Sequence, residues 1–314
     1  LTDSLRPPSG ERFGPTPPGT SVWLPPEGKV KNVLLLADGA KGMVTESLGD
    51  VASFLGAHCA SVEIRSNLRE TKFDGSFQVD PQPDLVVVLG GDGSVLTACR
   101  LFQNDPVPTI GINYGRVGFL ASLESSAWRE GLADVLEGRA FLEERMRLRA
   151  TIVNADGVRG ASAIALNDVV ISRGSTPSMA NFELASAGRV VTSYRADGLI
   201  FATPSGSTAY SLAAGGPILD PAMRAIVLTP ISAHALSHRP LVLGAKAHLE
   251  ARVVGSAGAV RVDVDGRLVS ELMPGDSVRL EACEDAYPLL TIRSFDPWQR
   301  LRDRLGWAGN FDRD

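Results

Sequence analysis

Residues 84–94, DLVVVLGGDGS, are where residue types and spacing point to chemistry. The apolar run from Leu85 to Leu89 is rich in β-branched residues and has the length of a buried parallel strand. It breaks at once into Gly90, Gly91, Asp92, Gly93 and Ser94. Two adjacent glycines at the carboxyl end of such a strand let backbone N–H groups come close to a ligand. Ser94 is placed to cap a helix expected over residues 95–103, and a helix N-terminus attracts anions. Together these features make a phosphate cradle with a carboxylate inside it. Asp92 would repel a phosphate unless it holds a metal ion or accepts a proton from a hydroxyl that attacks the phosphate. The chemistry indicated is phosphoryl transfer to an alcohol. The same residues also suit an ordinary tight turn, and no Gly-Lys-Ser/Thr follows, so this is not a Walker A loop.

The elements around this stretch alternate. A strand is expected from Lys31, a helix over about residues 45–57, a short strand over 60–65, a loop over 67–83, the glycine-bearing strand and its helix, and a further strand over 108–115. That order predicts a right-handed parallel α/β sheet, Rossmann-like, with ligands beyond the carboxyl ends of its strands. Gly115, Arg116, Val117 and Gly118 follow the last of these strands and read either as a second close backbone approach or as a plain loop. A helix over about residues 126–136 stops at Gly138.

The texture changes near Phe141. From there to about Arg293, β-like runs separated by Asp-Gly and Ala-Gly turns predict a β-rich, sandwich-like second domain. One small-residue segment, residues 203–221, interrupts it with an expected helix over about 208–214. The boundaries are therefore a Pro-rich, disordered tail over 1–28, an α/β domain over 29–138, a β-rich domain over 139–293 and a helix within 294–314 that docks back on the fold. Trp298, Leu301, Leu305 and Trp307 are expected on or near the docking face of that helix, which carries no chemistry in this reading.

Composition narrows the classes. The 314 residues are 44% hydrophobic and 21% charged, a globular balance with room for two domains. A formal net charge of -5 gives no electrostatic support to nucleic-acid binding. Cys59, Cys99 and Cys283 lie far apart, with neither metal-site nor disulfide spacing, which suits a reducing cytoplasm. No apolar run is long enough to cross a membrane, and no metal site is expected among the four scattered histidines.

Several stretches, taken in order, resemble the NAD kinase family: LGGDGS (89–94), IGINYGRVGFLA (110–121), ALNDVVISRG (165–174), YRADGLIFATPSGSTAYSLAAGGPI (194–218) and TPISAHALSHRPLV (229–242). The resemblance implies an α/β domain followed by a β-rich domain with the active site in the cleft between them. It implies ATP and NAD as ligands, Mg²⁺ bound through the ATP phosphates, and a homodimer or homotetramer. Asp92 then matches a general base toward the 2′-hydroxyl of the adenosine ribose, and Gly90, Gly91 and Gly93 line the phosphate site. Asn167 and Asp168 match an Asn-acidic pair that contacts the dinucleotide, with Asp168 standing where many members carry Glu. Arg195 and Asp197 match a segment whose Asp contacts dinucleotide from the same or a neighbouring subunit. Thr208, Ala209 and Tyr210 match a Thr-Ala-Tyr surface for the dinucleotide, continued by Ser211, Leu212 and Ala213. Ser94 replaces a commoner Thr, Ala213 a common Ser, and Ser232-Ala233-His234 the usual Cys-Pro-His.

The Gly-Gly-Asp-Gly string also resembles 6-phosphofructokinases, and its broader pattern occurs in lipid kinases. The β-rich second half argues against the first, and no apolar substrate entrance is visible for the second. A non-catalytic dinucleotide sensor on the same scaffold is the remaining alternative; a carboxylate beside phosphates gives a pure binder no advantage.

Overall fold

The computed structural model describes residues 19–66, 68, 77–116, 118–175, 177–235, 237–293 and 295–307. The chain forms two compact units. Unit 1 takes residues 1–98, 107–143 and 288–314, and unit 2 takes 99–106 and 144–287. Unit 1 therefore ends its central portion at residue 143 rather than 138, and the chain re-enters it at 288 rather than 294. The reason is that two strands beyond the sequence-based boundaries hydrogen-bond into its sheet.

Unit 1 is built on the strands β1 (Ser21–Val22), β2 (Asn32–Ala37), β3 (Ser61–Arg65), β4 (Leu85–Gly90), β5 (Thr109–Asn113), β6 (Leu123–Glu124) and β7 (Phe141–Arg145). Its helices are α1 (Gly42–His58), α2 (Asp92–Leu101) and α3 (Trp128–Leu136). Unit 2 carries β8 (Leu148–Val153), β9 (Arg159–Ala165), β10 (Asp168–Arg173), β11 (Ala180–Ser186), β12 (Arg189–Ala196) and β13 (Gly198–Ala202). A 3₁₀ turn at Ser205–Thr208 and the short α4 (Tyr210–Ala213) follow. Then come β14 (Ala225–Ile231), β15 (Leu241–Gly244), β16 (Leu249–Gly255), β17 (Val260–Val264), β18 (Arg267–Leu272) and β19 (Ser277–Ala282). The return to unit 1 is made by β20 (Tyr287–Thr291) and α5 (Pro297–Leu305).

The unit 1 sheet has the order β1-β7-β20-β5-β4-β2-β3, with β6 beside β5. Strands β3, β2, β4, β5 and β20 run parallel to their neighbours in that series. Every residue of β4 is buried, as its unbroken apolar sequence requires of a strand covered on both faces. The parallel sheet expected from the alternation is present, and the C-terminal strand β20 extends it between β7 and β5.

Within the Pro-rich stretch expected to be a disordered tail, residues 21–23 are ordered against unit 1. Ser21 and Val22 pair antiparallel with Leu142 and Phe141, the Trp23 N–H donates to the Ala140 carbonyl at 3.0 Å, and the Trp23 ring is buried in the unit 1 core. One large aromatic side chain outweighs the prolines around it, because its burial offsets the cost of ordering a few residues. Residues 1–18 lie outside the described residues.

Unit 2 consists of two six-stranded antiparallel sheets, β15-β14-β13-β10-β17-β18 and β12-β11-β16-β19-β8-β9. Their inward residues share one core that includes Leu148, Phe182, Leu184, Phe201, Val262 and Leu280. This is the β-rich sandwich the short strands and turns predict. The helix expected over 208–214 is instead a 3₁₀ turn and a single α-turn, broken at Ala209 (φ -99°, ψ -127°).

Helix α5 is capped by Asp296, whose Oδ1 accepts from the Trp298 N–H at 2.8 Å, and ends at Gly306 in the left-handed region (φ 67°). Its packed side differs from the apolar pattern. Leu301 is buried and Leu305 half-buried, but Trp298 and Trp307 are exposed, and Arg300 is buried in their place. Among the described residues no helix is long and apolar enough to cross a membrane.

Trp23 supplies a direct test of the ordered N-terminal edge. Trp23→Ala is expected to lower stability by roughly 3–5 kcal/mol in urea unfolding, whereas an unstructured tail predicts no change.

Candidate functional site

The candidate residues fall into two groups, one in each unit. In unit 1, β4 ends at Gly90 and α2 starts at Asp92. The first turn is closed by the Gly91 carbonyl, which accepts from Ser94 N at 2.9 Å and Val95 N at 3.1 Å. Ser94 therefore lies inside the helix, not at its cap. Its hydroxyl packs against Gly90, where an added Cβ would meet it at 2.1 Å.

Asp92 does not point into open space. Its Oδ2 accepts from Phe119 N at 2.7 Å, and its Oδ1 from Leu120 N at 3.0 Å and Ala121 N at 3.3 Å. The carboxylate lies against Gly118, where a Cβ would come within 2.1 Å of Oδ1. Of the second glycine pair, Gly118 thus does mark a close approach, and the approaching group is the Asp92 side chain.

Beside this loop lies a cation the sequence did not single out. A Cβ built on Gly91 would be 3.5 Å from Lys41 Nζ, and one built on Gly115 would be 3.7 Å from it. Lys41 immediately precedes α1 at the carboxyl edge of the sheet, so its ammonium reaches over two glycine backbones. The Asn113 side chain fixes the turn after β5: its Oδ1 accepts from Gly115 N at 3.0 Å and its Nδ2 donates to the Arg116 carbonyl at 3.0 Å. Gly90, Gly91, Asp92, Gly93, Asn113, Gly115 and Lys41 are brought together at the end of the parallel strands, where open α/β sheets bind ligands. No local spacing signals Lys41; it sits about fifty positions upstream of Gly91 in an ordinary Gly-containing turn.

In unit 2 a second carboxylate plays the stapling part. Asp265 and Gly266 form the β17–β18 turn with φ of 46° and 74°. The Asp265 carboxylate accepts from Leu166 N at 2.9 Å, Asn167 N at 2.8 Å and Asp168 N at 3.1 Å. The Asn167 carbonyl accepts from Thr203 N at 2.8 Å, and the Thr203 hydroxyl donates to the Leu166 carbonyl at 2.5 Å. Gly206 is pressed onto the same segment: a Cβ there would sit 2.0 Å from the Asn167 carbonyl oxygen. Asn167, Asp168 and the 203–208 turn are one assembly, and the Asn167 side-chain Oδ1 is buried in it with no hydrogen-bond partner among the described residues.

Two acids share this spot. Burial, and then the neighbouring Asp265, push the Asp168 carboxyl up to about 7. Burial raises Asp265 as well, against the pull of its three backbone N–H donors.

The remaining candidates differ in availability. The Thr208 hydroxyl donates to the Ser205 carbonyl at 3.1 Å, Thr208, Ala209 and Leu212 are half-buried, and Tyr210 and Ala213 are exposed. Ser211 is fully buried and shares a hydrogen bond with Thr229 Oγ1 at 2.8 Å, so its hydroxyl faces the interior. Asp197 is paired with Arg173 (Nε to Oδ1, 2.6 Å). Arg195 is exposed on β12 and lines a cavity of about 330 Å³ with Tyr194, His234 and His238. Among the described residues no three His, Cys, Asp or Glu side chains form a group able to hold a metal ion.

The N-terminal domain of ATP-NAD kinases matches residues 31–140, and the C-terminal domain of ATP-NAD kinases matches residues 166–292. The chain belongs to the NAD kinase family. An NAD kinase from Heliobacterium modesticaldum is 40% identical over 248 residues, spanning 79% of this chain and 83% of that one. One from Chromobacterium violaceum is 37% identical over 284 residues, 88% of this chain and 97% of the relative. Among solved structures, yeast NADH kinase complexed with NADH superposes with a TM-score of 0.82 at 25% identity, covering 94% of this chain and 96% of that one. An NAD kinase from Archaeoglobus fulgidus in complex with ATP gives 0.66 at 24% identity, with 88% and 97% coverage, and shares the fold. Membership makes the chain a phosphotransferase with an alcohol acceptor, and the match of both halves removes the phosphofructokinase and lipid-kinase readings that the glycine string alone leaves open.

Asp168 makes stability depend on pH in a stated direction. Its folded carboxyl lies near 7, above the roughly 3.9 of an unfolded chain. Between those values the folded state holds a proton that the unfolded state has lost, so stability falls as pH rises from about 4 to about 7. Asp168→Asn is expected to gain stability over the parent by roughly 2–3 kcal/mol between pH 5 and pH 8. Urea unfolding at the two pH values measures it, and an unchanged difference would put the Asp168 carboxyl in the ordinary range.

Proposed function

We propose that this chain transfers the γ-phosphate of ATP to the 2′-hydroxyl of the adenosine ribose of NAD, giving NADP, with Asp92 as the general base. The observation that carries the reading is the Asp92 carboxylate held by three consecutive backbone N–H groups at the carboxyl edge of the parallel sheet, between glycine backbones and beside Lys41.

The hydrogen bonds also indicate which atom acts. A carboxylate offers about four acceptor positions. Oδ1 holds two N–H groups and Oδ2 one, so the free lone pair is on Oδ2. In the proposed step Oδ2 takes the 2′-hydroxyl proton while the ribose oxygen forms a bond to the γ-phosphorus. The bond from that phosphorus to the β-phosphate oxygen breaks, and ADP leaves with the electron pair. Most of the acceleration comes from alignment and charge stabilisation, as in other phosphoryl transfers. Lys41 is suited to the donor phosphates, since an ammonium over glycine backbone can meet phosphate oxygens without steric obstruction.

The unpartnered Asn167 Oδ1 suits the dinucleotide, because an acceptor without a donor is satisfied by an exocyclic amino group such as that of adenine. Thr208, Ala209, Tyr210, Leu212 and Ala213 offer an adjoining surface. Mg²⁺ bound through the ATP phosphates would supply charge neutralisation on the transferring group.

The deciding assay offers Mg²⁺ and ATP with NAD or with fructose 6-phosphate, reading NADP through an NADP-specific dehydrogenase. NADP is the expected product. Tight NAD binding without transfer would instead support a sensor. Asp92→Asn is expected to cost roughly 10²–10⁴-fold in turnover, and near-full turnover in that variant would remove Asp92 as the base. Lys41→Met is expected to raise KM for ATP about tenfold, with KM for NAD within about twofold; equal effects on both substrates would move Lys41 away from the donor phosphates.

A further inference from the structure

Helix α5 buries a charged side chain that its apolar pattern does not place on the packed face. Arg300 is only 9% exposed. Its Nη1 donates to the Gly118 carbonyl at 3.0 Å and to the Ala121 carbonyl, and its Nη2 donates to the Ser122 carbonyl at 2.9 Å. The Phe295 ring lies 4.4 Å from its guanidinium carbon and covers one face of the group. These three carbonyls belong to the loop whose N–H groups hold Asp92. The loop is therefore gripped from two sides, by a cation on its oxygens and by a carboxylate on its hydrogens.

One peptide unit joins the two grips. The Gly118 carbonyl and the Phe119 N–H belong to the same planar group. Arg300 polarises its oxygen, and Asp92 Oδ2 accepts its hydrogen at 2.7 Å. Hydrogen bonds in such a chain strengthen one another, and a bound cation at one end favours a carboxylate at the other. Burial lowers the Arg300 pKa, and of the charges opposing that shift Asp92 is the largest, ahead of Glu124 and Glu143. Oδ2 is also the oxygen with the free lone pair, so the contact that Arg300 sets lies on the atom that takes the proton.

We propose that Arg300 is a positioning residue for phosphoryl transfer, fixing the Asp92 carboxylate through the Gly118–Phe119 peptide. The proposal rests on the reading of Asp92 as the base. Arg300 touches neither substrate in it. Without the guanidinium, the carbonyls of residues 118, 121 and 122 lose their donors, the loop relaxes, and Oδ2 loses the N–H that orients it.

The test is steady-state kinetics on Arg300→Ala and Arg300→Lys, each also placed on Asp92→Asn, with Arg304→Ala as an exposed control on the same helix. Arg300→Ala is expected to lower kcat roughly 10–10²-fold while KM for NAD and for ATP stay within about twofold. Arg300→Lys, which keeps the charge but cannot reach three carbonyls, is expected to fall between Arg300→Ala and the parent, and it carries the test if Arg300→Ala does not fold. On Asp92→Asn, the loss of Arg300 is expected to cost less than about twofold more, because the group it positions is already disabled. Arg304→Ala is expected to match the parent. A fall in urea midpoint with kcat unchanged, or the same fold-loss in both backgrounds, would overturn the positioning role while leaving Asp92 as the base. Full turnover in Asp92→Asn alone would overturn both.

Discussion

The structure depends on one interaction used twice: a carboxylate that fastens a backbone turn by accepting successive N–H groups. Asp92 does this for residues 119–121 in unit 1, and Asp265 for residues 166–168 in unit 2. Each turn would otherwise present several unpaired donors, which is costly wherever water is excluded. Three charge-assisted bonds to one side chain replace that water and fix the turn in one conformation. In unit 1 the fastening carboxylate is itself the proposed base. In unit 2 it stands behind Asn167, whose side-chain oxygen has no hydrogen-bond partner among the described residues.

These staples explain the glycines around them. Gly118 admits the Asp92 oxygens, and Gly206 admits the Asn167 carbonyl, at separations no side chain tolerates. Neither glycine has a positive φ. Their service is to remove a Cβ rather than to permit a turn, so at these two positions it is close approach of protein to protein that calls for glycine.

Much of this was legible in the sequence. The strand, glycine turn and helix at residues 84–101 follow from an apolar run meeting two glycines, and the β-rich half follows from short alternating runs with Asp-Gly turns. Local reasoning failed where the deciding partner is far away in sequence. Ser94 is a nearer miss: its type suits a cap, but the Gly91 carbonyl three residues back closes the first turn. Lys41 and Asp265 lie in ordinary turns, and their importance comes from backbone roughly 50 to 100 residues away. Arg300 was hidden more completely, since its acceptors precede it by 178 to 182 residues and are carbonyls, which every residue carries. Trp23 was masked by the prolines around it. A composition average cannot weigh one buried ring.

The place of β20 has a consequence for how the chain becomes an enzyme. This strand comes from the last part of the sequence yet lies inside the unit 1 sheet, between β7 and β5. During synthesis, β2, β4 and β5 emerge early, but the edge of β5 that β20 covers stays bare until residues 287–291 have left the ribosome. Residues 144–287 of unit 2 are uninterrupted by any part of unit 1, so they can collapse while the parallel sheet still waits for its missing strand. Helix α5, with Arg300, arrives after that strand. A nascent chain stopped short of residue 288 has every glycine and the aspartate of its Gly-Gly-Asp-Gly turn, but no means of closing the sheet on which they stand.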